Sequence, residues 1–204
     1  MADCSTQNEP SRNERLEGDT VIAEFRDAGA LLEGHFVLSS GLHSDKYLQC
    51  ALVLQNPVQA ERFGRAIADC FREEGIALVA SPAIGGLIIG HEVARALGAN
   101  FLWTERADGV MTLRRGFTIQ PGTRTLVVED VVTTGGSTRE AIEAVRAAGA
   151  EVIAAASIID RSSGTADVGV PRVALARLDV RAVEPGSCAA CARGDKAVKP
   201  GSRG

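Results

Sequence analysis

Residues 57–160 alternate between two hydrophobic rhythms, and few architectures accept such a pattern. Asn56-Pro57 reads as an N-cap followed by proline at the first helical position, opening a helix that runs to about Glu74. A strand is expected at Ala77–Ser81, a helix at about Gly86–Leu97 and a strand at Phe101–Thr104. After an interruption the pattern resumes with a strand at Thr125–Glu129, a helix at about Ser137–Ala148 closed by Gly149, and a strand at Val152–Ile159. Leu126-Val127-Val128 and the Val152–Ile159 run are apolar at successive positions, so both faces of these strands have to be covered. Strand–helix alternation of this kind predicts an α/β fold with an open, mainly parallel sheet flanked by helices.

The remaining chain divides around this core. Residues 1–18 are polar and expected to be mobile, 19–184 form one domain, and 185–204 are a Gly/Pro-rich tail. Within the domain, 19–55 read as a small hood and 56–184 as the core. The hood starts with a helix after Asp19 that ends near Gly29. Two short apolar runs follow, divided by the polar turn Ser39–Asp45. A last strand is expected at Val173–Leu178. A length of 204 residues suits one domain with a real core.

Composition excludes several functions. Net charge is −4 and aromatics are 4%, so neither a basic field nor a stacking surface for nucleic acid exists. No window approaches the roughly 18 apolar residues of a membrane span. The polar start, Met1 to Asp19, lacks an apolar signal core, which leads to the expectation of a cytoplasmic protein. Cys4, Cys50, Cys70, Cys188 and Cys191 are odd in number and read as reduced thiols rather than a disulfide framework.

One segment carries chemistry: the strand Leu126-Val127-Val128 runs into Glu129-Asp130, then Val131-Val132-Thr133-Thr134-Gly135-Gly136-Ser137-Thr138 and a helix. Ligands of open α/β sheets bind at the carboxyl ends of strands. The loop Thr133–Thr138 offers backbone N–H groups, hydroxyls and a helix N-terminus to a phosphate. The two acids repel that phosphate and suit sugar hydroxyls or a developing positive charge, as at C1 of a ribose 5-phosphate. Dinucleotide and P-loop motifs lack their key residues here. A solvated strand end followed by a plain capped turn is the competing structural explanation.

Val127–Thr138 resembles the phosphoribosyl-diphosphate signature of type I phosphoribosyltransferases. Three more segments narrow the resemblance to the orotate phosphoribosyltransferases. Phe36–Asp45 is similar to their base-binding segment, Ser81-Pro82-Ala83-Ile84-Gly85-Gly86 to their pyrophosphate loop, and Ile158-Ile159-Asp160-Arg161 to the strand end that delivers an arginine to orotate. The resemblance covers about residues 20–180. It implies that Glu129 and Asp130 hold the ribose hydroxyls and stabilise an oxocarbenium-like transition state. Phosphoribosyl diphosphate would meet Glu129 and Asp130, the stretch Val131, Val132, Thr133, Thr134, Gly135, Gly136 and Ser137, the loop Ala83, Ile84 and Gly85, and Arg106. Orotate would meet Thr133 and Arg161, with Ser40, Gly41 and Tyr47 closing over it. It further implies Mg²⁺ held mainly by the substrate, with no direct protein ligand, and a homodimer sharing a mobile loop across subunits.

Two departures from the family pattern stand out. The pyrophosphate loop has no lysine, so backbone N–H groups must serve. The loop Thr104–Gly116 carries Arg106, Arg114 and Arg115 and no lysine, which keeps charge but not an easily donated proton. Arg106 is the best match to a catalytic loop cation. Two alternatives remain at this point. A purine-base phosphoribosyltransferase has no use for Arg161 as a carboxylate clamp, and a non-catalytic sensor of phosphoribosyl diphosphate would release no pyrophosphate.

Weaker signals lie elsewhere. Cys188-Ala189-Ala190-Cys191 has metal-ligand spacing but supplies half a zinc site, and His35, His43, His91, another cysteine or a partner subunit would have to complete it. Incidental tail cysteines are the simpler explanation. Cys70 reads as a core thiol, and His43 as a turn residue that is solvated or touches substrate. Arg193, Lys196, Lys199 and Arg203 read as solubilising charges on the tail.

Overall fold

The computed structural model describes residues 16–38 and 41–200, so Cys4, Ser40, Arg203 and most of the expected N-terminal segment lie outside the described residues. The chain begins with α1 (Gly18–Asp27), the antiparallel pair β1 (Leu31–Val37) and β2 (His43–Leu48), and the short α2 (Cys50–Leu54). The alternating part follows as α3 (Pro57–Asp69), β3 (Leu78–Pro82), α4 (Gly86–Leu97), β4 (Asn100–Ala107), β5 (Val110–Leu113), β6 (Arg124–Val132), α5 (Gly136–Ala147), β7 (Glu151–Asp160) and β8 (Arg172–Arg177). Then come β9 (Ala182–Val183), a 3-10 turn at Pro185–Ser187 and α6 (Ala189–Ala192).

The main sheet has the order β5-β4-β3-β6-β7-β8, and every pairing in it except β4–β5 is parallel. Its side chains alternate between two cores. Val79, Leu126, Val128, Ala154 and Ala156 pack with Phe25 of α1, Phe63 and Ile67 of α3, and Ile89 and Val93 of α4. Leu78, Ala80, Val127 and Ala155 pack instead with Ala141, Ile142 and Val145 of α5. Both faces are dry, which is why these strands read as unbroken apolar runs. Each large aliphatic side chain so buried contributes about 1.5–3 kcal/mol.

Local signals set the helix ends. The Asn56 side chain accepts the Val58 N–H at 3.0 Å, with Pro57 beginning α3. That helix stops at Asp69, earlier than the expected Glu74. Gly98 closes α4 at φ 68°, a left-handed conformation that suits glycine.

Three expectations are corrected. The stretch Glu105–Gly116 does not simply interrupt the pattern: β4 continues to Ala107, turns at Asp108-Gly109 and returns as β5, with Arg106 opposite Met111. Asp108 and Gly109 have φ of 51° and 82°, as a two-residue hairpin turn requires. The C-terminal stretch packs on the hood, with β9 joining β2 in a sheet of order β1-β2-β9 and the Val37 N–H donating to Val198 O at 2.8 Å. Cys70 is disulfide-bonded rather than a reduced core thiol, whereas Cys50, Cys188 and Cys191 are free. Among the described residues no helix is long and apolar enough to cross a membrane.

Candidate active site

Because β3, β6 and β7 run parallel, their carboxyl ends open on one edge of the sheet. That edge gathers the loop Ala83–Gly85, the turn Thr133–Gly135 and Arg161. Segments separated by up to about eighty residues therefore meet for a topological reason, the shared direction of their strands.

Glu129 and Asp130 are consecutive on β6, so they leave the strand on opposite faces. The Thr138 hydroxyl on the first turn of α5 donates to Glu129 Oε2. Burial pushes the Glu129 carboxyl up to about 7; the Thr138 hydrogen bond opposes this and the neighbouring Asp130 charge adds to it. Asp130 is raised as well, chiefly by burial, against a 2.8 Å hydrogen bond from the Val131 N–H and one from the Cys50 thiol. A β-carbon at Gly85 would lie 2.8 Å from both Asp130 carboxylate oxygens, so glycine is what lets the β3–α4 loop rest on this acid. No cation enters the causes of either shift. The pair is ready to be stabilised by hydroxyl donors or positive charge brought by a ligand.

The β6–α5 turn supplies the opposite electrostatics. Gly135 takes φ 79° and precedes the helix, and a β-carbon there would meet Val168 at 2.8 Å. Thr133, Thr134 and Ser137 are exposed beside the free N–H groups of the first turn of α5. Val131 and Val132 continue β6 rather than the loop, and Val132 is buried, with its carbonyl accepting the Arg161 N–H at 2.8 Å. Across the site, Ile84 is 84% exposed at the tip of its loop, whose Ala83 N–H is held by Thr104 O at 2.8 Å.

Arg161 follows β7 directly. Its Nε is buried without a hydrogen-bond partner, and burial lowers the pKa of the guanidinium, with Cys50 and Tyr47 close enough to oppose the shift. Asp160 does not compete for it. That carboxylate pairs with Arg172 at 3.1 Å and accepts from the Ser162 N–H at 2.8 Å and the Gly164 N–H at 3.1 Å. Tyr47 reaches this neighbourhood from β2, with its ring centroid 5.9 Å from that of Phe36. Gly41, at φ 84°, lies in the exposed turn before β2.

Cys50, at the start of α2, went unnoticed in the sequence. Its buried thiol sits between Asp130 and Arg161, and is held well above its ordinary pKa first by burial and then by Asp130. A lone cysteine in an apolar helix carries no local sign of such a position. Thr138 was visible as part of the motif, although its bond to Glu129 was not.

Other candidates lie apart. Arg106 pairs with Glu140 of α5 at 2.5 Å and donates to Gly109 O at 2.9 Å. Arg115 clamps Glu105 at 2.7 and 3.0 Å, and Arg114 stands 3.9 Å from the same carboxylate. The hairpin arginines are thus tied within their own chain. His43 is buried in β2 and bonded to His35 at 2.8 Å, so it is neither a solvated turn histidine nor a neighbour of the acid pair.

Residues 52–179 match the model of the phosphoribosyl transferase domain family. The orotate phosphoribosyltransferase of Pelotomaculum thermopropionicum is 54% identical over 185 residues, covering 91% of this chain and 97% of that protein. That of Rhizorhabdus wittichii is 55% identical over 191 residues, with coverage of 92% and 97%. Among solved structures, orotate phosphoribosyltransferase from Aeropyrum pernix superposes with a TM-score of 0.67 at 26% identity, covering 78% of this chain and 93% of that one.

Proposed function

The chain belongs to the phosphoribosyl transferase domain family, and from that premise we propose that its site joins orotate to 5-phospho-α-D-ribose 1-diphosphate, giving orotidine 5′-phosphate and pyrophosphate in pyrimidine biosynthesis. It is a glycosyltransferase of the pentosyl class. In the reaction the bond from ribose C1 to the diphosphate oxygen breaks, and C1 bonds to a ring nitrogen of orotate. The observation that carries the choice of base is Arg161, a half-buried guanidinium whose Nε has no partner while the adjacent Asp160 is committed to Arg172. A guanidinium fork binds a carboxylate through two parallel hydrogen bonds, and orotate has the carboxylate that purine bases lack.

The remaining roles follow from charge. Thr133, Thr134, Gly135, Gly136 and Ser137 bind the 5-phosphate at the α5 N-terminus. Glu129 and Asp130 bind ribose hydroxyls and face the positive charge that develops at C1. Backbone groups of Ala83, Ile84 and Gly85 receive the pyrophosphate, and Val131 and Val132 position the turn rather than touch substrate. Thr133, Gly41 and Tyr47 border orotate. Ser40 belongs to the same proposal by resemblance.

Two carboxylates are oxygen donors of the kind Mg²⁺ takes but too few to cage it, which fits an ion coordinated largely by substrate. When bound, Mg²⁺ neutralises charge on the diphosphate. Arg106 serves the departing pyrophosphate only after leaving Glu140, which is the demand of a loop that closes. A homodimer is part of this reading, supported by the mostly apolar hollow of Leu87, Ile88, Phe101 and Trp103, which His91 and Glu92 border. A cytoplasmic setting belongs to the same proposal by resemblance to the family.

An assay with orotate, phosphoribosyl diphosphate and Mg²⁺ tests the reaction, with adenine as the competing base. Wild-type protein should consume orotate and release equimolar pyrophosphate. Arg161→Ala should raise the KM for orotate ten-fold or more, since a charged hydrogen bond is worth roughly 1.5–3 kcal/mol, and change that for the diphosphate less. Turnover of adenine, or an unchanged orotate KM, overturns the assignment of the base.

A further inference from the structure

We propose that His35, His43, Cys188 and Cys191 form a structural zinc site that fastens the C-terminal segment to the hood. One ligand atom from each residue, taken together, lies within 4.8 Å of all the others. His35 Nε2 stands 3.3 Å from Cys188 Sγ and 3.7 Å from Cys191 Sγ, and His43 Nδ1 stands 3.2 Å from Cys191 Sγ. Zinc takes sulfur at about 2.3 Å and nitrogen at about 2.0–2.1 Å, which in a tetrahedron separates ligand atoms by about 3.3–3.8 Å. A bound ion would open the His35–His43 nitrogens, at 2.8 Å, by roughly half an ångström, and draw in any pair lying toward the 4.8 Å limit by about one ångström on the same geometry.

The surroundings prepare these ligands. His35 Nδ1 faces the Asp195 carbonyl at 3.0 Å, so that nitrogen carries the proton and Nε2 is left with its lone pair toward the thiols. Metal-bound histidines are commonly oriented by such a carbonyl. The register of β1 against β2 shifts between Glu33 and Phe36, and this irregularity sets His35 beside His43. On the other side, Ala192 N–H donates to Cys188 O at 3.1 Å, and the single turn of α6 brings Cys191 back under Cys188. Cys188 is 8% exposed and His43 9%, and four protein ligands leave no open position, which marks a structural rather than a catalytic ion. His35 and Cys188 are 153 residues apart, so the ion closes a very long loop.

The test uses the full chain, purified reduced and without a histidine tag. Metal analysis should find about one zinc per chain, and cobalt in its place should give the visible spectrum of a tetrahedral site with two thiolates. Cys188→Ser/Cys191→Ser should lose both signals. A chelator should lower the Tm of the wild type, and His43→Cys, which keeps four ligands, should retain metal. Should the serine variant fail to fold, the wild-type metal content and cobalt spectrum decide alone. Substoichiometric zinc after zinc addition, zinc retained by the serine variant, or a Cys188–Cys191 disulfide in the reduced protein would each overturn the site. Transferase activity is measured on the same samples, so failure of the metal site and failure of the proposed reaction are read separately.

Discussion

The main sheet and the hood are held together by different means. Inside the main sheet lie Leu126, Val127, Val128 and Ile158, each fully buried; the covering helices α3, α4 and α5 come from the same stretch of chain as these strands, and α1 adds Phe25. The outer end of the hood buries His43, Ser44 and Cys188 instead, and its third strand, β9, comes from the far end of the sequence. A large apolar interior stabilises through area removed from water and needs no particular partner. A small sheet with polar and thiol groups inside needs specific bonds or a metal. The acid pair sits on the main sheet, while Tyr47 comes from the hood, so the proposed chemistry and base recognition draw on both regions.

The sharpest way to break this contrast is a cavity in each region. Leu126→Ala should cost about 2–5 kcal/mol of global stability and lower hydrogen-exchange protection throughout the main sheet. Phe36→Ala should open β1, β2 and the C-terminal segment while leaving β6 and β7 protected, as expected for local unfolding. Equal losses of protection in the main sheet would show that the two regions unfold as one.

A second test asks whether the acid pair acts in catalysis apart from binding. Asp130→Asn should lower kcat about 100-fold or more while weakening orotidine 5′-phosphate binding far less, because the charge at C1 exists only in the transition state. Its metal content should match the wild type if the hood is independent. Comparable losses in rate and product affinity would leave Asp130 as a binding residue only.

The smallest effect concerns pH. Glu129 is raised from 4.5 to about 7 in the folded protein, so its ionisation opposes folding. The empty protein should be favoured below pH 4.5 in this respect and lose that contribution as pH rises through about 7. In the proposed reaction substrate binding needs the anion, so kcat/KM should rise across the upper part of the same window. Thr138→Val removes the hydrogen bond that opposes the shift, and should move the rising limb to higher pH. An unmoved limb would mean that another group controls it.

Much of the core was legible in residues 57–160. Pro57 after Asn56, the doubled apolar runs and the acid–acid–turn–helix order are local signals, and β3, α4, α5 and β7 fall close to where those signals point. The hairpin was legible too: Asp108-Gly109 between short extended runs is turn chemistry, passed over because arginines suggested a mobile loop.

What the sequence by itself determined is whatever depends on near neighbours or on a contiguous motif: the α/β rhythm, the Glu129–Ser137 segment and the family it belongs to. Tertiary structure alone decided the rest. Arg161 Nε is left without a partner while Arg172, from the next strand, takes Asp160. Cys50 meets Asp130 and Arg161 because α2 joins the core that contains Ile158 and Ile159, far away in sequence. The Cys188–Cys191 pair finds its two histidines because β9 carries the chain back to β2. Secondary structure follows from backbone and side-chain preferences repeated every few residues. Partners 153 residues apart are chosen by how sheets close on one another, and no local preference encodes that choice.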